Sequence, residues 1–197
     1  MRILSGKLKG SKILTNNKKF EGSGSFVTRP TSDRVKETLF NIIQHGFNVD
    51  FSKISFLDCF SGSGAVGLEA ISRGCSIVSF LEKNSVACEC ITKNLTNFKL
   101  YENDQSNTIR ILNYDFFDSK LLPKNKFDVV FLDPPYEMMK AGKVFMRLKE
   151  LRVTKINSLI IYESNRELAE VDGFEILRSR KIGRTHLNFL KISDYCI

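Results

Sequence analysis

The sequence predicts an α/β domain in which a mostly parallel sheet carries helices on both faces. Three features lead there. From Ile54 onward, strand-like and helix-like segments alternate along the chain. The strand-like runs ISFLDCF, SIVSFLE and FDVVFLD are almost continuously apolar, as strands covered on both faces must be. Gly74 and the pair Pro134-Pro135 stop the elements that they follow.

The segments fall in a definite order. Residues 1–25 carry Arg2, Lys7, Lys9, Lys12, Lys18 and Lys19 against a single acid, Glu21, and are expected to form a basic arm. Within it, Ile3-Leu4 and Ile13-Leu14 flank SGKLKGSK as the sides of a small β-hairpin. FEGSGSF reads as a flexible link into the main domain, residues 26–197. TSDRVKETLFNII then offers Ser32 or Asp33 as N-cap, with Val35, Leu39, Ile42 and Ile43 on one face of an amphipathic helix. Strand ISFLDCF leads to a helix over Ala65 to Arg73, and SIVSFLE to a helix over Ser85 to Phe98. NTIRILNY runs to Asp115 and FDVVFLD to Asp133, followed by a helix over Met139 to Leu151. Strands SLIIYES, FEILRSRK and HLNFLKI complete the chain, which has no internal repeat.

Charge and cysteine usage narrow the function. Lys and Arg outnumber Asp and Glu by 30 to 22, a net charge of +8 that favours a polyanionic partner, nucleic acid ahead of a membrane surface. The cysteines are Cys59, Cys75, Cys88, Cys90 and Cys196, an odd set without a C-x-x-C, and the two histidines, His45 and His186, are far apart. Reduced, buried thiols are expected, with neither a metal site nor a disulfide framework. MRILSGKLKG lacks an apolar signal core, and no run has the length of a membrane span. A cytoplasmic monomer, without membrane attachment, is the expectation.

In parallel sheets the ligand lies beyond the carboxyl ends of the strands. Here those ends carry Asp58, Glu82, Asp115 and Asp133. Each alone could be a solvated turn acid; four on one rim of a basic protein need another explanation. DCFSGSGAVG holds Gly62, Gly64 and Gly67 in the spacing of a nucleotide-binding turn, and Glu82 follows Gly62 by 20 residues, right for a ribose hydroxyl. That much fits NAD. Asp58 does not, because it would repel a pyrophosphate. It would attract a cofactor carrying an ammonium and a sulfonium, and S-adenosylmethionine carries both, with an adenosine and no phosphate. Asp58 would hold the methionine end, directly or through a water or loop amide, while Gly62 and Gly64 let the backbone approach the cofactor.

FDVVFLDPPYE places Asp133, Pro134, Pro135 and Tyr136 at a strand tip beside that loop. The simplest use of two prolines is a stiff strand exit. Their context suggests more. An exocyclic base amine is a poor nucleophile because its lone pair is delocalised into the ring. Asp133 and the Pro134 carbonyl can each accept one N–H and turn the lone pair toward a methyl donor. Tyr136 offers a ring on which a flipped or single-stranded base can stack.

With both motifs placed, the chain resembles class I S-adenosylmethionine-dependent methyltransferases of Rossmann-like fold. More narrowly, it resembles the bacterial small-subunit (16S) ribosomal RNA guanine-N2-methyltransferase family. RILSGKLKGSKI, RPTSDRVKETLFNII, DCFSGSGAVGLEAISRG, LEKN, DPPY and IIYES carry the resemblance. It implies a seven-stranded sheet with an antiparallel last strand and a small N-terminal hairpin. It also implies Asp58, Phe60, Gly62, Ser63 and Gly64 around the methionine and ribose, and Glu82 on the ribose hydroxyls. Lys83 or Asn84 would lie beside the adenine, Asp115 and Phe116 at its edge and face, and Asp133 to Tyr136 at the methyl acceptor. Arg29, Thr31 and Arg34 match a segment that caps the site, although Arg34 and Lys36 fit an exposed helix face equally well. Ser61 stands where the family often has alanine, and GRTHLNFLKI is more divergent, leaving Arg184 and His186 without a role.

The reading is therefore methyl transfer to guanine N2 in 16S rRNA, free or within a small-subunit assembly intermediate, with Lys7, Lys9, Lys12, Arg29 and Arg34 gripping phosphates. The alternatives are a DNA adenine-N6 methyltransferase, an NAD-dependent oxidoreductase and a non-catalytic RNA-binding module. The guanine assignment rests on the flanking matches rather than on the site residues.

Overall fold

A five-residue strand buried at every position belongs in the middle of a sheet, and Ser55–Cys59 (β1) is one. In the computed structural model, which describes residues 1–15, 32–100, 108–118, 125–135 and 141–193, β1 lies between two parallel neighbours. These are β2 (Ile77–Leu81) and β4 (Phe127–Leu132). β3 (Ile109–Leu112) extends the parallel set beyond β2, and β5 (Thr154–Ser164) extends it beyond β4. β7 (Thr185–Ile192) inserts antiparallel between β5 and β6 (Phe174–Ile182), giving the order β3-β2-β1-β4-β5-β7-β6. The mostly parallel seven-stranded sheet is thus as expected. The β6–β7 turn thereby returns to the rim where β1 to β5 end.

Alternation along the strands sorts the core into two faces. Phe56, Val129, Phe131 and Ile161 pack with α1 (Asp33–Asn41), α2 (Ala65–Ser72) and α3 (Ser85–Asn97). Leu57, Val130, Leu132, Ile160 and Tyr162 pack on the other face with Val144, Phe145 and Leu148 of α4 (Ala141–Leu151). Asp58 and Glu163 share the alternation of Phe56 and Ile161, and so belong to the α1 face.

Ser32 is the N-cap of α1, its hydroxyl accepting from Val35 N–H at 3.3 Å. The helix does not stop at Ile43; it widens into a π-helical turn, Ile42–Gly46, with both isoleucines buried. β5 begins four residues before the expected SLIIYES. Its polar start, Thr154 to Asn157, hides a strand that pairs Thr154 with Phe127 before the register shifts. FEGSGSF lies outside the described residues.

The arm closes as expected, but through a single antiparallel bridge, Arg2 to Lys12, rather than two regular strands. It is seated on the domain. Ile3 and Ile13 enter the α1-face core. Glu69 of α2, fully buried, accepts from Leu4 N–H at 2.8 Å and Ser5 N–H at 3.0 Å while pairing with Arg73 at 2.9 Å. Lys36 is not on an exposed face: the arm covers it, and its ammonium donates to the Arg2 carbonyl at 2.6 Å. Burial lowers its pKa. Gly6, at φ +80°, lets the arm meet α2 so closely that a Cβ there would lie 1.8 Å from the Ser72 carbonyl oxygen.

Gly6→Ala is therefore expected to lower the urea midpoint by the equivalent of about 2–3 kcal/mol. Gly10→Ala, also at positive φ but with nothing within 4 Å, is expected to cost only about 1 kcal/mol. Equal losses would contradict the seating of the arm on α2.

Candidate active site

The turn from β1 into α2 winds tightly: Phe60, Gly62 and Gly64 all have left-handed φ, at 59°, 53° and 77°. For Phe60 that conformation is strained, and the surrounding bonds hold it. Ser61 N–H donates to the Leu81 carbonyl at 3.2 Å, and its hydroxyl donates to the Asp58 carbonyl at 2.6 Å. Gly62 N–H donates to Glu82 Oε2 at 2.8 Å, so the 20-residue spacing is closed by a direct bond between glycine loop and acid. Gly67 N–H donates to Asp58 Oδ2 at 2.9 Å. Gly67 serves packing, since a Cβ there would sit 2.3 Å from the Phe80 ring.

The tips of β2 and β3 are tied as firmly. Glu82 Oε1 accepts from Asn84 N–H at 2.9 Å, and Asn113 donates its amide to the Glu82 and Lys83 carbonyls, each at 3.0 Å. Asn84 caps α3, its side-chain oxygen accepting from Val86 and Ala87 N–H. Asp115 accepts from Phe117 N–H at 2.9 Å and lies 3.6 Å from the Lys83 ammonium. The buried Phe116 ring packs 5.0 Å from Phe60, and Arg147 of α4 holds this segment by donating to the Phe116 and Asp118 carbonyls.

Three carboxylates then converge on the α1 face. Asp58 is 2% exposed and Glu163, at the tip of β5, is 4% exposed. β4 and β5 pair Leu132 with Tyr162, so Asp133 and Glu163 follow side by side on adjacent strands. Burial pushes Asp58 up to about 7, with the charge of Glu82 adding to the rise and the Gly67 hydrogen bond opposing it. Asp133 is pushed well above the ordinary carboxylate range by burial, then by Glu163 and Asp58. Part of its surface stays open, but protein surrounds it closely enough that burial, rather than solvent screening, sets its charge. Among the described residues no Lys or Arg forms an ion pair with Asp58 or Asp133. The Lys83–Asp115 pair on the same rim leaves these two acids without a cation among the described residues.

A cleft of about 410 Å³ opens nearby, bounded by Pro135, Tyr162, Arg166 and Leu168. None of the three carboxylates lines it, and Tyr162 sets it on the α4 face of the sheet.

Comparison with known proteins places this geometry. The family described as "Conserved hypothetical protein 95" matches residues 1–191. The chain belongs to this family. "Ribosomal RNA small subunit methyltransferase D" of Haemophilus influenzae is 35% identical over 93% of this chain and 89% of its own length. The protein of the same name from Buchnera aphidicola subsp. Baizongia pistaciae is 29% identical over 99% and 94%. The solved structure of yhhF from Escherichia coli superposes with a TM-score of 0.74 at 26% identity, covering 98% of this chain and 97% of that one. The resemblance read from RPTSDRVKETLF, DCFSGSG and DPPY is borne out, and so is the methyltransferase fold.

Against that family frame, the structure brings Asp58, Phe60, Gly62, Ser63, Gly64, Glu82, Asp115, Phe116, Asp133, Pro134 and Pro135 to one rim. Lys83 is exposed above it, and the Asn84 side-chain oxygen is committed to its cap. The arm runs along the outer side of α2, from the far end of that helix at Lys7 to Leu14, two residues after Lys12, where the Asn94 amide donates to both the Leu14 and Ser63 carbonyls. Lys7, Lys9 and Lys12 are exposed, but Lys7 N–H donates to the Ser72 carbonyl at the far end of α2. That is roughly 10 Å along the helix from the glycine loop, at the edge of the sheet opposite the rim. Arg34 is exposed on α1. Tyr136, Arg29, Thr31 and Cys196 lie outside the described residues; the other four cysteines are buried thiols that form no disulfide with one another.

Sequence reading missed Glu163, Asn113 and Arg147. The strand-end rule that found Asp133 also marks Glu163 in IIYES. Asn113 and Arg147 carry no local signal, since their partners are backbone carbonyls remote in sequence.

The raised Asp58 pKa has a definite consequence for stability. Between its ordinary 3.8 and about 7, the folded state holds a proton that the unfolded state has released, so stability falls as pH rises through that window. Asn at this position keeps an acceptor for Gly67 and removes the charge. Asp58→Asn is expected to stabilise the apoprotein by about 2 kcal/mol more at pH 8.5 than at pH 5. Thermal denaturation at the two pH values checks this; an equal or smaller effect at pH 8.5 would contradict it.

Proposed function

We propose that this chain transfers a methyl group from S-adenosylmethionine to the exocyclic N2 amine of a guanine in 16S ribosomal RNA. The observation that carries the reading is the cluster of Asp58, Asp133 and Glu163 carboxylates on one face beside a glycine loop, with no Lys or Arg ion-paired to Asp58 or Asp133 among the described residues. A pyrophosphate would be repelled there. A donor that carries an ammonium and a sulfonium would bring positive charge to Asp58 and Asp133, and the names of the relatives support the same class.

The residues present fit that cofactor. Asp58 would act on its cationic end through the field beneath the loop and through the Gly67 amide it orients. Glu82, positioned by Gly62 and Asn84, would face the ribose hydroxyls, and Phe116 with Asp115 the adenine. S-adenosylmethionine, when bound, supplies an electrophilic methyl on a sulfonium.

This chain's own groups handle the nucleophile. Asp133 accepts one hydrogen of the target amine and the Pro134 carbonyl the other, aiming the lone pair and stabilising positive charge as it develops on nitrogen. A carboxylate whose pKa is already raised is also a suitable acceptor for the proton that the amine must lose. Glu163 adds an argument for guanine. Guanine presents N1–H and the N2 amine side by side as donors, matching two adjacent carboxylates. Adenine sets an acceptor, N1, next to its amine and would face one of them unpaired.

The test is methyl transfer from labelled cofactor to small-subunit rRNA, followed by nucleoside analysis. N2-methylguanosine is expected; N6-methyladenosine, or transfer to DNA alone, would overturn the reading. Asp133→Ala is expected to lower kcat at least 100-fold while cofactor affinity changes less than about threefold. Loss of cofactor binding instead would move Asp133 to the cofactor side. Glu163→Gln is expected to narrow the preference for guanine over adenine in the same assay, and an unchanged preference would remove Glu163 from base recognition.

A further inference from the structure

The arm was expected to grip RNA, yet its turn is fixed at the edge of the sheet opposite the site. A different cationic surface stands on the site's own rim. Between Glu175 and Asp194 the sequence has no acid, while Arg178, Arg180, Lys181, Arg184 and Lys191 are all basic. Lys191 is neutralised by Glu175 at 2.9 Å, at the end of the β6–β7 hairpin remote from the rim. The other four are exposed, and none is ion-paired among the described residues. Positive charge therefore collects toward the hairpin tip, on an edge strand that nothing in the sheet covers.

Register fixes where that charge points. Glu163 pairs with Leu187 and Leu187 with Arg180, so the three share one row across β5, β7 and β6 and one face of the sheet. Leu187 belongs to the α1-face core, so Arg180 lies on the face that carries Glu163, Asp133 and Asp58. At the usual strand spacing Arg180 stands roughly 10 Å from Glu163 and roughly 14 Å from Asp133. Lys181 pairs with His186 on the opposite face, and Arg184 lies in the turn between the strands. The cations thus wrap the tip. Arg178 is partly engaged, with a guanidinium nitrogen near Gly46 at the end of the π-helical turn.

We propose that the β6–β7 hairpin, through Arg180, Lys181 and Arg184, binds the RNA phosphates that flank the methylated nucleotide. This rests on the reading of the site as an RNA guanine methyltransferase. A base turned out of its strand to reach Asp133 leaves its neighbouring phosphates on the rim, within reach of side chains at this distance. Three exposed cations at the open edge of a sheet provide point-charge contacts without base selectivity, so they position the strand and leave selection to the carboxylates. The arrangement also gives the rim complementary halves, anionic where the cationic donor and base amine belong and cationic where the backbone belongs.

The test replaces Arg180, Lys181 and Arg184 together by Gln, which keeps much of each side chain's stem and removes its charge. With wild-type and variant protein on rRNA, KM for RNA is expected to rise at least tenfold. The slope of log affinity against log salt should shrink by about 2–3 for three lost phosphate contacts. The kcat at saturating RNA, the affinity for S-adenosylhomocysteine and the melting temperature should stay at wild-type values. A parallel Lys7, Lys9 and Lys12 to Gln variant is expected to change KM less than threefold. Unchanged KM and salt slope in the hairpin variant, with the wild type active on RNA, would overturn the hairpin assignment alone. No transfer to any RNA by the wild type would overturn the underlying reading and the assignment with it.

Discussion

Burying the Asp58 carboxylate beneath a glycine loop costs free energy that one hydrogen bond to Gly67 does not offset. The arrangement persists because it sets the shape of everything above it. The Asp58 side chain orients the first turn of α2, its main-chain carbonyl receives the Ser61 hydroxyl, and Ser61 in turn ties the loop to the end of β2. Phe60 is held in a left-handed conformation against Phe116, which links the loop to the segment after β3. A hydrophobic residue at position 58 would relieve the desolvation cost and leave the loop without its pivot. Position 58 thus trades stability for a fixed site, as active sites commonly do.

The rest of the fold positions a few more charges about this one. Parallel pairing of β1, β4 and β5 brings Asp133 and Glu163 onto the same face, so that the charges of Glu163 and Asp58 make Asp133 harder to ionise. The reversal at β7 then delivers a cationic hairpin tip to the same rim. The N-terminal arm has the opposite role. Through Glu69, Lys36 and Asn94 it closes the outer side of α1, α2 and α3, and its buried contacts are structural.

Much of this was legible in the sequence because the signals are local. Continuous apolar runs identified the central strands, and glycine spacing with Asp58 identified both the loop and its electrostatic peculiarity. Pro134-Pro135 marked the exit of β4. What escaped is non-local. Lys36 reads as a solvated helix cation until the arm is laid over it. Asn84, two residues after Glu82, looks like a ligand contact in the sequence, yet its side-chain oxygen caps α3. Charge counting points to the arm for RNA contact, but composition cannot tell which end of a sheet a turn will reach; the Lys7 bond to Ser72 fixes the turn at the far end of α2. Arg180 carries no motif, and its place beside the site follows only from the register of three strands.

The central claim is that the methyl donor brings positive charge to the carboxyls of Asp58 and Asp133. Calorimetric titration with S-adenosylmethionine from about pH 5.5 to 7.5, in buffers of different ionisation enthalpy, tests it most directly. The account predicts that binding releases protons and tightens as pH rises toward the Asp58 value of about 7. Proton uptake, or an affinity that is flat or falling over that range, would contradict it.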